Sequence, residues 1–161
     1  GTFGHDVCLT EQGKLDSEKM GERLRKIEWG EIHSSPIVRC AETSQHFLKG
    51  AGQNIPIQFS SLLGNPGIFI DEPEVAGRYF LENPINEIAA KIFYSEPFPG
   101  MRNLEEGGRL FIDYLKTIER FPCLMISHDI IIALLKSYFF KTSPQIPNYL
   151  DGFSIQQEEV R

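Results

Sequence analysis

Apolar residues along this chain recur with two periods, and the switching between them predicts the order of elements. Leu15, Met20, Leu24 and Ile27 recur at imperfect helical spacing and predict a first helix within Leu9 to Trp29. Thr10 suits its N-cap, Glu11 its first turn and Gly30 its end. The short runs Glu31 to Ser35, Ile55 to Phe59 and Pro122 to Ser127 predict strands, the last of them buried. A helix follows the first of these runs and continues through Leu48. Ile85, Ile88, Ala89 and Ile92 form one stripe of a helix over Asn83 to Tyr94. Leu110, Phe111, Tyr114, Leu115 and Ile118 do the same over Asn103 to Arg120. Ile130 to Phe140 predicts an apolar helix, and Phe153 to Gln157 a final strand. Between them, Ser60 to Tyr79 carries Gly64, Pro66, Gly67, Pro73 and Gly77 and predicts an irregular segment. Strands alternating with helices predict an α/β fold. The expectation is a three-layer sandwich, a mostly parallel central sheet with helices on both faces.

Composition narrows the classes. At 161 residues the chain suits one domain, residues 1–161, with a sizeable core. A net charge of −6 argues against a general nucleic-acid binder, so a phosphate site here is a local positive spot on an acidic body. Three scattered cysteines point to reduced thiols in a cytoplasmic setting rather than a disulfide framework. No apolar run approaches transmembrane length, so no membrane partner is expected. No ligand cluster has zinc-like spacing, and neither a metal nor another cofactor is implied. Oligomeric state has no signature in the sequence.

Candidate chemistry starts at Ser34-Ser35-Pro36-Ile37-Val38-Arg39-Cys40-Ala41-Glu42-Thr43. The chain leaves a strand, turns, and opens a helix whose first turn suits Pro36 and whose free N–H groups Ser34 or Ser35 can cap. One turn in, Arg39 projects a guanidinium. A helix N-terminus beside an Arg suits an anion, above all phosphate. Alone, Arg39 is better read as a surface Arg on an amphipathic helix. His128-Asp129 changes the balance, because it stands at the carboxyl end of a strand, where ligands sit in open α/β sheets. Thr43 and His46 share a helix face with Arg39. Thr43 suits packing or hydrogen-bonding support there. His46 either supports Arg39 or merely ends the helix, the second being preferred. Cys40 suits a small buried filler, and His33 a satisfied histidine near the sheet.

These stretches resemble the histidine phosphatase superfamily, the phosphoglycerate-mutase-like group. Ser34, Ser35, Arg39 and Thr43 match its Ser-Ser-x-x-x-Arg-x-x-x-Thr, and Ser127, His128 and Asp129 match its later Ser-His or His-Asp stretch. Leu9-Thr10-x-x-Gly13 matches the opening of its first helix. The three matches come in the family's order. One departure stands out: the family's nucleophilic His follows an apolar strand within Arg-His-Gly. Here only Gly-Thr-Phe-Gly precedes His5. The nucleophile and its strand are therefore expected upstream of Gly1, with His5 the alternative.

The resemblance implies a metal-independent phosphomonoester or phosphohistidine hydrolase working through a phosphohistidine. Its substrate would be a small phosphorylated molecule or a phosphohistidine protein. In that reading Arg39, His128 and Asp129 are catalytic, and Ser34, Ser35 and Glu105 bind substrate. Asp129 is either the general acid or simply the N-cap of the helix at Ile130. Glu105 or Glu106 is either a site carboxylate or a stabiliser of its helix N-terminus. Residues 60–104 would be a lid or insertion that sets substrate choice. Within it, Phe69, Tyr79 and Phe80 either wall an organic group or pack the insertion. A phosphoglycerate-type mutase and a non-catalytic phospho-ligand-binding module are the alternatives.

Overall fold

A computed structural model describes residues 6–156 and divides into two compact units. The first comprises residues 1–65 and 118–128, the second residues 66–117 and 129–161.

The first unit holds the sheet. Among the described residues its strands are β1 (Glu31–Ser34), β2 (Ile57–Phe59) and β3 (Cys123–Ile126), all parallel, in the order β2-β1-β3. Ile32 sits opposite Ile57 on one side and Leu124 on the other. β1 is buried along its whole length. β3 forms an edge of the described sheet and is half-buried, where the sequence predicts a buried strand.

Two helices pack together in this unit, α1 (Glu11–Arg23) and α2 (Val38–Ala51). The Thr10 hydroxyl caps α1 by accepting from the Gly13 N–H at 3.0 Å. Glycines let the two backbones nearly touch. A Cβ on Gly21 would collide with the Phe47 carbonyl, and one on Gly50 with the Glu18 carbonyl. Ile32, Phe47, Leu48 and Ala51 form the core, with Met20, Leu24, Trp29 and Ile57 around them. Trp29 meets Phe47 edge-on, with ring centroids 5.9 Å apart.

The first helix ends earlier than the apolar spacing predicts, at Arg23. The Gln53 side chain explains why the chain can stop. It donates to the Ile27 carbonyl at 2.7 Å and accepts from the Trp29 N–H at 3.3 Å, replacing helical bonds with a side-chain clamp. Gly30 is needed for a different reason than ending a helix. It lies against the Arg120 backbone, where a Cβ would not fit, and its N–H donates to the Pro122 carbonyl at 2.8 Å.

The second unit is helical: α3 (Pro73–Glu82), α4 (Ile85–Phe93), α5 (Leu104–Leu115) and α6 (Asp129–Phe140). The sequence predicts an irregular run through Tyr79, yet the chain becomes helical at Pro73. Proline in the first turn costs no hydrogen bond, so it starts α3 rather than preventing it. Asn103 caps α5 by accepting from the Glu106 N–H at 2.9 Å. Arg102 fastens the preceding loop, donating to the Ile68 and Ile70 carbonyls at 3.0 and 2.8 Å. Gly107 and Gly108 admit the Phe69 and Tyr138 rings against α5. Phe69 is thus buried core, and Tyr79 and Phe80 meet the Phe98 ring. All three aromatics pack within this unit.

Phe153 to Gln156 forms no strand; Gln157 lies outside the described residues. Phe153 instead sets its ring against those of Phe139 and Phe140, at 6.5 and 6.0 Å. No helix among the described residues is long and apolar enough to cross a membrane.

Candidate anion site at the carboxyl ends of β1 and β3

The turn after β1 builds the site. Ser35 continues the sheet, donating its N–H to the Ile126 carbonyl at 2.9 Å. The Ser35 hydroxyl then accepts from the Ile37 N–H at 3.3 Å. α2 begins two residues later than the sequence suggests, at Val38, with Ile37 as N-cap and no side-chain cap. Pro36 therefore lies in the turn and not in the helix. Ser34 and Ser35 are fully buried, and the Ser34 hydroxyl donates to the Ser35 carbonyl at 2.8 Å.

Arg39, Ser35 and His128 meet here. His128 Nδ1 lies 3.4 Å from Arg39 Nη2, and His128 Nε2 lies 2.9 Å from Ser35 Oγ. Cys40 joins them: its Sγ is 3.7 Å from His128 Nε2 and donates to the Ser127 carbonyl at 3.7 Å. Cys40 is buried, as expected, and also touches the site histidine. Burial pushes its thiol up to about 11, so at neutral pH it is a thiol and a poor nucleophile. Thr43 supports the helix turn by donating to the Arg39 carbonyl at 2.8 Å. His46 has neither role that the sequence suggested. Its Nδ1 lies 2.9 Å from Glu18 Oε1, which Lys49 also reaches at 3.0 Å, so it ties α2 to α1.

Two contacts here escaped the sequence reading. Ser127 Oγ donates to the Leu63 carbonyl at 2.6 Å, which holds the loop after β2 against the end of β3. Gly64 follows, so close that a Cβ would strike both His128 Nε2 and Ser35 Oγ. The Gly64-Asn65-Pro66 turn signature was the available signal. It marks a turn but cannot say what the turn lies against.

Glu105 and Asp129 belong to the second unit. Glu105 is exposed in the first turn of α5 and accepts from Arg109 Nε at 3.0 Å. Asp129 is exposed at the start of α6 and accepts from the Ile130 N–H at 2.7 Å. His5 lies outside the described residues.

The opposite end of β1 has a different character. Glu31 and His33 are buried, with His33 Nε2 2.9 Å from Glu31 Oε1. Glu31 also accepts from the Glu119 and Arg120 N–H groups at 2.7 and 2.6 Å and from Gln58 at 3.0 Å. The His33 hydrogen bond, then the backbone donors, hold its carboxyl down at about 2. A cavity of about 480 Å³ opens at this end, lined among others by Trp29, Glu31, Gln58, Arg120 and Phe121. It shares no residue with the Ser35–Arg39–His128 cluster.

Residues 2–65 match the family model of the histidine phosphatase superfamily (branch 1). Several solved structures are similar in fold. A phosphoglycerate mutase from Bacillus anthracis str. Sterne is 19% identical, with a TM-score of 0.59 over 88% of this chain and 73% of that one. A mycobacterial glucosyl-3-phosphoglycerate phosphatase is 15% identical, with a TM-score of 0.57 over 85% and 69%. An ecdysone phosphate phosphatase from Bombix mori, in complex with tungstate, is 16% identical, with a TM-score of 0.52 over 98% and 65%. Such likeness shows a shared fold, an α/β fold with a parallel sheet flanked by helices. No curated protein matches the chain.

Proposed function

We propose that this chain is a histidine phosphatase superfamily member that hydrolyses phosphomonoesters or phosphohistidine without a metal. The observation that carries the reading is the convergence of Arg39, Ser35 and His128 where β1 and β3 end and α2 begins. The match over residues 2–65 supports it, as do phosphatases among the structural neighbours.

The chemistry follows from charge. A phosphomonoester dianion resists attack until positive groups take up its charge. Arg39 would grip two phosphate oxygens with its planar fork, aided by the N-terminus of α2. His128 would donate to a third oxygen and to the charge that develops in the transition state. A histidine outside the described residues would accept the phosphoryl group, and water would then release it. Asp129, next in sequence to His128, would protonate the leaving oxygen, a role worth on the order of 10²–10⁴-fold. Ser34 and Ser35 would shape the turn that presents Arg39, and Glu105 would contact substrate. Residues 60–104 would be the insertion that selects the substrate, either a small phosphorylated molecule or a phosphohistidine protein. The free thiols of Cys8, Cys40 and Cys123 fit a reducing, cytoplasmic setting.

A mutase is the second reading, favoured by the phosphoglycerate mutase among the neighbours. A binding module without turnover is the third, favoured by the lack of an Arg before His5. Turnover of a chromogenic phosphomonoester in EDTA separates them. Hydrolysis lost in Arg39→Ala and His128→Ala supports the hydrolase. Phosphate binding without hydrolysis, lost in the same variants, favours the mutase or the module.

A further inference from the structure

We propose that Ser127 is a positioning residue of this site: its hydroxyl, through the Leu63 carbonyl, seats the Gly64 backbone against the Ser35–His128 contact and so fixes the His128 ring beside Arg39. The proposal rests on the hydrolase reading above and adds a residue to it. Ser127 itself touches no substrate; it acts through the loop after β2.

That loop is short and is held at both ends. It leaves β2 at Ser60, whose N–H donates to the Ser34 carbonyl at 2.9 Å. A single 3₁₀ turn, Ser61–Leu63, follows, and the Ser60 hydroxyl caps it by accepting from the Leu62 N–H at 3.3 Å. At the far end the Ser127 hydroxyl donates to the Leu63 carbonyl at 2.6 Å. One end is thus fastened to β1 and the other to the residue that follows β3. Leu63 is buried, so its carbonyl depends on a partner within the protein.

Gly64 closes the loop. It takes φ 156° and ψ 149°, a backbone region open essentially to Gly alone. A Cβ there would strike His128 Nε2, His128 Cδ2 and Ser35 Oγ, so bare backbone packs directly on the ring and its partner. Nε2 lies 2.9 Å from Ser35 Oγ and 3.7 Å from Cys40 Sγ. The other ring nitrogen, Nδ1, lies 3.4 Å from Arg39 Nη2.

The ring therefore has one flank walled by backbone, which cannot swing aside as a side chain can. While the loop stays seated, a rotation of the ring drives Nε2 or Cδ2 into Gly64. Loss of the Ser127 hydroxyl takes this donor from the Leu63 carbonyl. The loop relaxes, Gly64 withdraws, and the ring gains room to turn away from Arg39. A displacement of about 1 Å at a reacting group can cost on the order of 10²-fold in rate. Ser127 precedes His128 in the chain, so one strand end carries both the ring and the clamp that holds it.

The test is metal-free turnover of a chromogenic phosphomonoester in EDTA by the full-length protein and its Ser127 variants. Ser127→Ala is expected to lower kcat/KM by about 10- to 100-fold. Ser127→Thr keeps the hydroxyl and is expected to recover most of that loss. The ring signals of His128 are assigned among the four histidines by their absence in His128→Gln. They are expected to shift in Ser127→Ala and to return in Ser127→Thr. Circular dichroism reports whether each variant folds. If the alanine variant does not fold, Ser127→Cys, which keeps a weak donor, takes its place with a smaller loss expected. Unchanged kcat/KM in the folded alanine variant, or in the cysteine variant that replaces it, overturns the proposal and spares the hydrolase. A loss that leaves the His128 signals unmoved, or that threonine does not recover, overturns it as well. No turnover by the wild-type protein overturns both.

Discussion

The two ends of β1 each set a histidine beside a charged group, buried His33 at one and half-buried His128 at the other, and they differ in the sign of that charge. At the amino end His33 faces the Glu31 carboxylate, whose oxygens accept from His33, Gln58 and two backbone N–H groups. At the carboxyl end His128 faces the Arg39 guanidinium across a longer 3.4 Å contact. The first pair is chemically complete: a carboxylate surrounded by donors. The second sets a donor-only cation against a ring nitrogen. A histidine near the sheet is therefore a poor guide to function until its partner is known. The chemistry of that partner is the better guide.

Mutations can sharpen the contrast. The largest effect is expected from Arg39→Ala, which removes the fork proposed to grip phosphate. Hydrolysis should fall by on the order of 10²–10³-fold. Arg39→Lys should rescue little, because a point charge cannot bind two oxygens in one plane. Circular dichroism should show both variants folded, since Arg39 is only half-buried.

At the other end, Glu31→Gln should cost stability rather than catalysis, about 3 kcal/mol, because it leaves backbone donors short of a charged acceptor. The pH dependence has a definite sign. The Glu31 carboxyl is held at about 2 when folded, against roughly 4.3 in an unfolded chain. Its stabilisation is thus present above the unfolded value and lost as pH falls from about 5 toward 2. Denaturant unfolding across that range should flatten in Glu31→Gln. An equal acid dependence in the variant would mean that Glu31 does not hold this end of the sheet.

Gly64→Ala should have a smaller and more local effect. Its Cβ would push into the His128–Ser35 contact, and phosphate affinity should drop by about tenfold with modest loss of stability. The smallest effect concerns thiols. At pH 8 a thiol reagent should label exposed Cys8 quickly and leave Cys40 and Cys123 slow, since burial pushes these two up to about 11 and about 12. Fast labelling of Cys40 would contradict the neutral thiol beside His128.

Much of the fold was legible in the sequence because its signals are local. The runs at β1, β2 and β3, the Thr10 and Asn103 caps, and the apolar stripes of α4, α5 and α6 all depend on neighbours within a few residues. What escaped depends on distant partners. The stop of α1 at Arg23 rests on Gln53, and the closeness of α1 to α2 rests on Gly21 and Gly50, whose spacing predicts nothing alone. Pro73 reads equally as a breaker or a helix start. In the candidate site, Arg39 and His128 stood out through motif and position at strand ends. The Cys40 and Gly64 contacts on His128 and the Glu18 pairing of His46 are long-range and had no sequence signal.

The central claim is that Arg39 and His128 act together on a phosphoryl group. The most direct test is metal-free turnover of a chromogenic phosphomonoester in EDTA by the full-length protein, compared with Arg39→Ala and His128→Ala. The account predicts steady phosphate release that collapses in both variants. Turnover undiminished in either variant, or neither turnover nor phosphate binding in the wild type, would contradict it.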